Sequence, residues 1–338
     1  MSYNLASMIS ENADGSAMNR AMFRRRLLEW FHRHQRKLPW RGERDPFRIL
    51  VSEIMLQQTR VAVVEERYKK FIAQFPTAKK LAGASEQTVL AAWSGLGYYR
   101  RARNLRAAAK EIAGHNGFPR SAAKLRELPG IGRYTANAVA SIAFGEPVAV
   151  VDGNVKRVLE RVFAAEFLSL RNRGEERYWQ LAAALLDESN PGDFNQAMME
   201  LGATVCLPGQ PLCAKCPVAK MCAANGPIAS RARPRRRKAV QRYALVRRQG
   251  RVLLQRRPRG SSLMPGMWEL PLIDADAAVE SKPVLKLRHS ITTTDYKVFV
   301  HRAASHKTTR ARWLTLRSAK RLPLTGLTRK ILEGLGDA

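Results

Sequence analysis

The sequence predicts a multidomain protein in which a long all-α region is followed by a smaller α+β domain. Three observations carry this. Apolar residues recur at helical spacing from Arg20 to Cys206. All four cysteines of the chain fall between Cys206 and Cys222. From Val240 onward the pattern turns to short strand-like runs separated by turn residues. A chain of 338 residues is long enough for about two domains, each with its own core.

Taken in order, residues 1–22 read as a loose tail, since MSYNLASMISENADGSAMNR lacks the charged start and apolar core of a secretory signal. A helix is expected over 22–34. The next begins with Asp45 as N-cap and Pro46 at its first position, then runs through FRILVSEIMLQQ. Helical periodicity recurs over 61–74, 86–93, 100–113 and 175–187, and Asp193 is expected to cap FNQAMMELGATVC. Between these lies LPGIG, residues 128–132, a glycine-bracketed turn ahead of a small-residue helix over 133–144 that Gly145 and Pro147 stop. Gly130 and Gly132 permit positive φ, so the turn can present free N–H groups at a helix N-terminus, a setting that suits a phosphate oxygen. A plain packing corner between two helices is the alternative. After Cys222, RARPRRRK over 231–238 reads as a basic linker within 223–240. The strand-like runs YALVRR, RVLLQRR, VLKLRHSI and YKVFVHRA then define an α+β domain over 241–334.

The net charge of +31 makes nucleic acid the leading partner, with an anionic membrane surface as the alternative. No apolar run approaches the roughly 18 residues of a spanning helix, so no membrane partner of that kind is expected. A disulfide framework would spread its cysteines along the chain. Clustering at Cys206, Cys213, Cys216 and Cys222 points instead to one metal site in a reducing, intracellular compartment. Four thiolates this close suit a tetrahedral zinc or an iron–sulfur cluster.

Two acids stand out. Glu53 shares a helix face with Ile49, Leu50, Leu56 and Gln57. Burial there would raise its pKa and favour the protonated form; a helix rotated to expose it is the alternative. Asp152, placed to cap GNVKRVLERV, would accept backbone N–H bonds and be held ionised, although N-cap aspartates are commonly only structural. A proton donor paired with an ionised stabiliser of positive charge is what cleavage at an anomeric carbon requires. In WSGLGYYRRARNLR, Tyr98 or Tyr99 could stack on bases while arginines hold phosphate; a solvated basic helix face is the alternative.

With these pieces assembled, the chain resembles the helix-hairpin-helix DNA glycosylases that carry an iron–sulfur loop, and within them the MutY-type adenine DNA glycosylases. The matching stretches are LPWR, SEIMLQQT, GLGYYRRARNL, LPGIGRYTA, VVDGNVKRV, FNQAMMELGATVC and the cysteine spacing. The resemblance implies a helical helix-hairpin-helix glycosylase domain over 23–222 and a 4Fe–4S cluster on Cys206, Cys213, Cys216 and Cys222 of a loop over 206–222. It implies that duplex DNA with an A:8-oxoguanine or A:G mispair is the partner and that the adenine is flipped out and its N-glycosidic bond hydrolysed. Glu53 would protonate the base and Asp152 stabilise the sugar, with Tyr134 and Asn154 orienting these acids. Arg41, Leu56 and Glu200 would line the adenine pocket. Gln58 and Tyr98 would fill or wedge the opened stack, and Gly130 and Gly132 would hold phosphate. Endonuclease III enzymes have a lysine where this chain has Tyr134, and a phenol cannot form their Schiff base, so a monofunctional enzyme is implied. RRPRGSSLMPGMWELP resembles the Nudix-like recognition domain of the family, without the R-E-x-x-E-E stretch of true Nudix hydrolases. The family's Phe-Ser-His reader of 8-oxoguanine is absent; its nearest match places His289 and Ser290 in that role. A monomer in the cytoplasm, associated with the nucleoid, is expected.

Overall fold

In the computed structural model, residues 20–115, 117–164, 174–228, 236–274, 281–306 and 310–335 are described. Most of the expected tail and residues 229–235 of the expected linker lie outside them. The chain runs through α1 (Arg20–His34), α2 (Pro46–Leu56), α3 (Val61–Gln74), α4 (Ala78–Gly83), α5 (Glu86–Ala92), α6 (Arg100–Gly114), α7 (Ala122–Leu125), α8 (Arg133–Phe144), α9 (Gly153–Val162), α10 (Glu175–Leu185) and α11 (Pro191–Thr204). It continues through β1 (Arg237–Leu245), β2 (Arg247–Arg248), β3 (Arg251–Arg256), β4 (Trp268–Glu269), β5 (Leu272–Ile273), β6 (Leu285–Ile291), β7 (Thr294–Arg302), β8 (Ala311–Thr315), α12 (Leu316–Ala319) and α13 (Gly326–Gly334). The expected order, all-α and then α+β, is what the chain has.

Local chemistry sets the helix ends. Asp45 Oδ1 accepts from the N–H groups of Phe47 (2.8 Å) and Arg48 (3.1 Å), starting α2 where expected. The helix does not run through Gln57 and Gln58, because Gln58 turns into the left-handed region at φ 53°. Asp193 is not the cap of α11 either. Pro191, with its φ already fixed, starts that helix after Asn190, and Asp193 in the first turn faces His32 at 3.0 Å instead. Gly145 ends α8 at φ 70° in the left-handed C-cap.

The described chain forms two compact units, each discontinuous in sequence. The first takes residues 1–57 and 111–231. In it α2 packs on α8, and α11 packs on α1, α8 and α9. Its core gathers Phe23, Leu27 and Phe31 of α1, Leu159 of α9, Leu181 and Leu185 of α10, and Phe194 and Leu201 of α11, all essentially removed from solvent. Every residue of α8 from Thr135 to Ser141 is buried, which its small side chains make possible. The second unit takes residues 58–110 and 232–338. One sheet has the order β5-β1-β7-β6, with β1 and β7 parallel and the outer pairs antiparallel. The other is built on β3, antiparallel to β2, β4 and β8. α13 closes the core with Leu327 and Ile331 against Tyr243, Leu254 and Trp268. Within this unit the helical segment over 61–110 is tied to the C-terminal segment by the buried Tyr99 hydroxyl, which donates to Leu324 O at 3.2 Å, and by Arg329 of α13 donating to Ser94 Oγ.

Candidate functional site

The packing of α2 on α8 and of α11 on α9 brings a polar cluster into the core of the first unit. Glu53, one turn from the end of α2, is 6% exposed, so the apolar stripe does bury its acid. Tyr134, in the first turn of α8, donates its hydroxyl to Glu53 Oε2 at 2.7 Å. Burial pushes the Glu53 carboxyl up to about 7; the Tyr134 bond and the Arg41 charge pull it down, and the Asp152 charge raises it further. Burial likewise drives the Tyr134 phenol upward, helped by the charges of Glu53 and Asp152, so it stays protonated and remains a donor.

Asp152 caps α9 as expected: its Oδ1 accepts from Asn154 N at 2.9 Å and Val155 N at 2.7 Å. The Asn154 side-chain Nδ2 donates to Oδ2 at 2.9 Å, so both carboxylate oxygens are held. The expected lowering of its pKa does not occur. Burial raises it, and the backbone bonds, Asn154 and the charge of Arg157 offset that only in part. The cap chemistry was read correctly, but the depth of the site was not visible in the sequence.

Several positioning residues escaped the sequence reading. Buried Asn195 ties down the extended chain ahead of Asp152, accepting from Val150 N at 3.0 Å and donating to Val148 O at 2.9 Å. Asn137 of α8 donates to Ala149 O at 2.7 Å. Arg157 donates to Asn154 Oδ1 at 2.8 Å and to Cys206 O at 2.7 Å, joining the cap to the cysteine loop. A carboxamide amid the small residues of α8 is the one signal that pointed to any of these.

Glu200 of α11 is 2% exposed and accepts from Arg36 Nε at 2.7 Å and Arg41 Nη2 at 2.9 Å. Burial pushes its carboxyl up, but the bonds and charges of Arg36 and Arg41 outweigh this and hold it below the usual range. Arg41 also lies over the Phe31 ring at 5.0 Å and donates to Gln196. Leu56 ends α2 half-buried. Gly130 adopts φ 75°, the conformation expected of it, whereas Gly132 is extended at φ −89° and serves as N-cap of α8. No side chain caps that helix.

In the second unit Gln58 and Tyr98 are exposed, and both adopt left-handed backbone, at φ 53° and 47°. Arg101 braces them: it donates to Thr59 Oγ1 at 2.9 Å and Leu96 O at 3.0 Å, and lies 5.4 Å from the Tyr98 ring centroid. Three arginines of this stretch have acceptors inside the fold. Arg101 braces the turns, Arg103 binds Glu86 at 2.9 Å, and Arg106 donates to Ala84 O at 2.7 Å. His289 and Ser290 are neighbours on β6, so they point to opposite faces; His289 is half-buried and exposed Ser290 donates to Asp295 Oδ1 at 2.6 Å.

The four cysteines carry free thiols, all half-buried. Arg161, itself 3% exposed, donates to Cys206 Sγ at 3.1 Å. Burial pushes Cys216 to about 11, and the charges of the other three cysteines add to the rise, so the four lie within electrostatic reach of one another. Among the described residues no three His, Cys, Asp or Glu side chains converge in the way a single metal ion needs. Among them, too, no helix is long and apolar enough to cross a membrane.

Residues 51–182 match the HhH-GPD superfamily of base excision DNA repair proteins, and residues 242–334 match the NUDIX domain family. The chain is 47% identical over 231 residues to the adenine DNA glycosylase of Rattus norvegicus, covering 64% of this chain and 43% of that protein. It is 40% identical over 309 residues to the adenine DNA glycosylase of Arabidopsis thaliana, covering 76% and 49%. The chain thus spans about half the length, or less, of these curated relatives. Among solved structures, a thermostable thymine-DNA glycosylase matches with a TM-score of 0.56 at 31% identity, over 61% of this chain and 96% of that one. A buried carboxyl–phenol pair behind a glycine turn, with the match over nearly all of a solved glycosylase, leads to one assignment: the chain belongs to the HhH-GPD superfamily of base excision DNA repair proteins.

Proposed function

We propose that the protein is an adenine DNA glycosylase that removes adenine lying opposite 8-oxoguanine, or guanine, in duplex DNA and leaves an abasic site. The observation that carries this reading is the buried Glu53–Tyr134 pair within electrostatic reach of Asp152. A base in the stack is out of reach, so the adenine must be extruded first. Near neutral pH about half of Glu53 is protonated, and it donates to the base and makes it a better leaving group. Ionised Asp152, held on both oxygens, stabilises the oxocarbenium-like sugar until water attacks. The names of the rat and Arabidopsis relatives support adenine as the excised base. Tyr134 supplies a phenol and no amine, which supports hydrolysis without strand cleavage.

Around this chemistry, Arg41, Leu56 and Glu200 shape the pocket for the base. Gln58 and Tyr98 enter the opened stack; both are exposed on turns with left-handed backbone. The turn at Gly130 and the uncapped N-terminus of α8 take a backbone phosphate. His289 and Ser290 read the base opposite. The cysteines fit a 4Fe–4S cluster in donor chemistry: four soft thiolates, half-buried, with the Arg161 guanidinium donating to one of them. Cys206, Cys213, Cys216 and Cys222 would hold it, and it would staple the loop beside Arg157. The glycosylase domain spans 23–222 and the recognition domain 241–334, acting as a monomer on DNA.

The test is single-turnover excision on labelled duplexes with 8-oxoguanine, guanine or cytosine opposite adenine, followed by hot alkali. Cleavage of the adenine strand only after alkali, fastest opposite 8-oxoguanine, is expected. Strands left intact in all three duplexes would refute adenine excision, and cleavage without alkali would refute the monofunctional step. Iron with labile sulfide in the purified protein is expected; zinc would sink the cluster.

A further inference from the structure

The Tyr134 hydroxyl has a second acceptor. Besides Glu53 Oε2 at 2.7 Å, it donates to the thioether sulfur of Met199, on α11, at 3.3 Å. A phenol carries one hydrogen, so the carboxyl and the sulfur compete for it. The carboxyl holds the shorter contact, and a thioether is a weak acceptor. Glu53 therefore keeps the phenol only as long as the sulfur stays a thioether. Met198 and Glu200, on either side in the chain, are each 2% exposed. Met199 is only half-buried and packs at the margin of the core together with Tyr134. A polarizable sulfur that is not sealed from solvent is open to oxidation, and this one touches the group that orients the proton donor.

A hydroperoxide is the only co-reactant the step needs. A sulfur lone pair attacks one peroxide oxygen, an S–O bond forms and the O–O bond breaks. Sulfur gives up two electrons, and the proton of the transferred oxygen passes to the departing oxygen, which leaves as water or an alcohol. The product, methionine sulfoxide, carries a strongly polar oxygen on an atom already in contact with the phenol. That oxygen either takes the phenol hydrogen or pushes the ring aside, and both outcomes break the bond to Glu53. We propose that Met199 is an oxidation site for small hydroperoxides, and that its sulfoxide draws the Tyr134 hydroxyl off Glu53 and so slows excision. The consequence for excision rests on the reading of Glu53 and Tyr134 as the proton donor and its positioning partner. The change is reversible by methionine sulfoxide reductases, which makes the site a switch rather than a lesion.

The test is treatment of the full-length protein with hydrogen peroxide, with oxygen uptake mapped by mass spectrometry of its peptides. Met199 should gain one oxygen atom while Met198 gains none. The Glu53 carboxyl carbon, identified as the 13C resonance missing from Glu53→Gln, should then titrate at higher pH than in untreated protein. The Tyr134 bond that lowers its pKa is gone, while the raising charge of Asp152 and the lowering charge of Arg41 remain. Single-turnover excision of adenine opposite 8-oxoguanine should fall about tenfold, as when a donor loses its fixed orientation. Incubation with methionine sulfoxide reductases should restore it. In Met199→Leu, which conserves volume, treated and untreated protein should differ by less than about twofold, whatever the starting rate. A loss there equal to the parent's puts the damage elsewhere, the cysteines included, and overturns the proposal. So does an unoxidised Met199 in protein whose half-buried Met264 is fully oxidised, or a Glu53 midpoint that oxidation leaves unmoved. Untreated protein that excises no adenine refutes the functional reading instead, and the Glu53 titration still decides whether the sulfoxide takes the phenol.

Discussion

Tyr134 donates its hydroxyl to Glu53 Oε2 at 2.7 Å, and this bond opposes the burial that lifts the Glu53 carboxyl to about 7. An acid poised there is half protonated near neutrality, which suits general-acid work. Excision is therefore expected to fall as pH rises through about 7, because the proton donor is lost. On the acid side it falls as Asp152 takes up a proton, at a pH above the usual aspartate value because burial raises that group. Glu53→Gln keeps the shape and removes the titrating proton, so the excision rate should drop by about 10²–10⁴-fold while duplex affinity persists. Single-turnover rates across pH, beside a binding isotherm, decide this; retained turnover in Glu53→Gln would end the assignment.

The same carboxyl has a stability signature. Its folded pKa lies above the unfolded value of 4.5, so its contribution is fully present below that value and is lost as pH rises towards about 7. Tyr134→Phe removes the bond that lowers this pKa. The alkaline limb of the rate profile should then move to higher pH, and the maximal rate should fall by about tenfold as the donor loses its fixed orientation. An unmoved limb would show that the phenol does not act on Glu53.

How much of this was legible in the sequence depended on range. Asp45 with Pro46, and Asp152 ahead of GNVKRVL, are local signals, and α2 and α9 start where those residues say. Helical spacing placed Glu53 on one face with Ile49 and Leu50 but left open whether that face was buried or rotated to solvent; the packing of α2 on α8 decided it. The sign at Asp152 was misread because a cap is local whereas burial depends on which helices pack around it. Gly132 shows the same limit: glycine permits positive φ without requiring it, and the helix start asked for extended backbone. Arg101, Arg103 and Arg106 read as a basic face, yet their acceptors are carbonyls and an acid that the chain brings up from other turns. The Asn195 and Arg157 contacts join segments some 45 residues apart, which no periodicity encodes.

Arg157 is the positioning residue behind Asp152. It holds Asn154 Oδ1 at 2.8 Å, and its positive charge lowers the Asp152 pKa. Arg157→Met should free the Asn154 side chain and slow excision by about 10–10²-fold, since small displacements at a reacting centre have that effect. The acid limb of the rate profile should shift to higher pH. Arg157→Lys should restore that limb more than the rate, because it returns the charge without the fork. A rate loss with no movement of the limb would indicate a merely structural role.

Glu200 neutralises two guanidiniums from a position 2% exposed. Replacing it with glutamine leaves Arg36 and Arg41 without their carboxylate and should destabilise the protein by about 3–5 kcal/mol, as breaking a buried ion pair does. Because its folded pKa is depressed, the stability it gives is present above the ordinary glutamate value and is lost as pH falls. Urea melts of both proteins at several pH values should converge towards the acid end. A constant gap would mean that packing, not charge, is what Glu200 supplies.

Gly202 is where α11 packs against the start of α9. A Cβ there would lie 2.6 Å from Asn154 Cβ and 2.8 Å from Asn154 O, and neither atom can yield without moving the start of α9. Gly202→Ala should therefore cost about 1–3 kcal/mol from overpacking. It should also slow excision beyond what that loss explains, because the shifted backbone carries the N–H groups that hold Asp152. Gly83→Ala meets nothing within 4 Å and is the matched control, with melting temperature and rate expected to stay at the parent values or slightly above. Thermal melts with single-turnover rates at a temperature where both variants are fully folded separate the two effects. An unimpaired rate in Gly202→Ala would show that the α9 start tolerates displacement and that Asp152 is held by less than its cap.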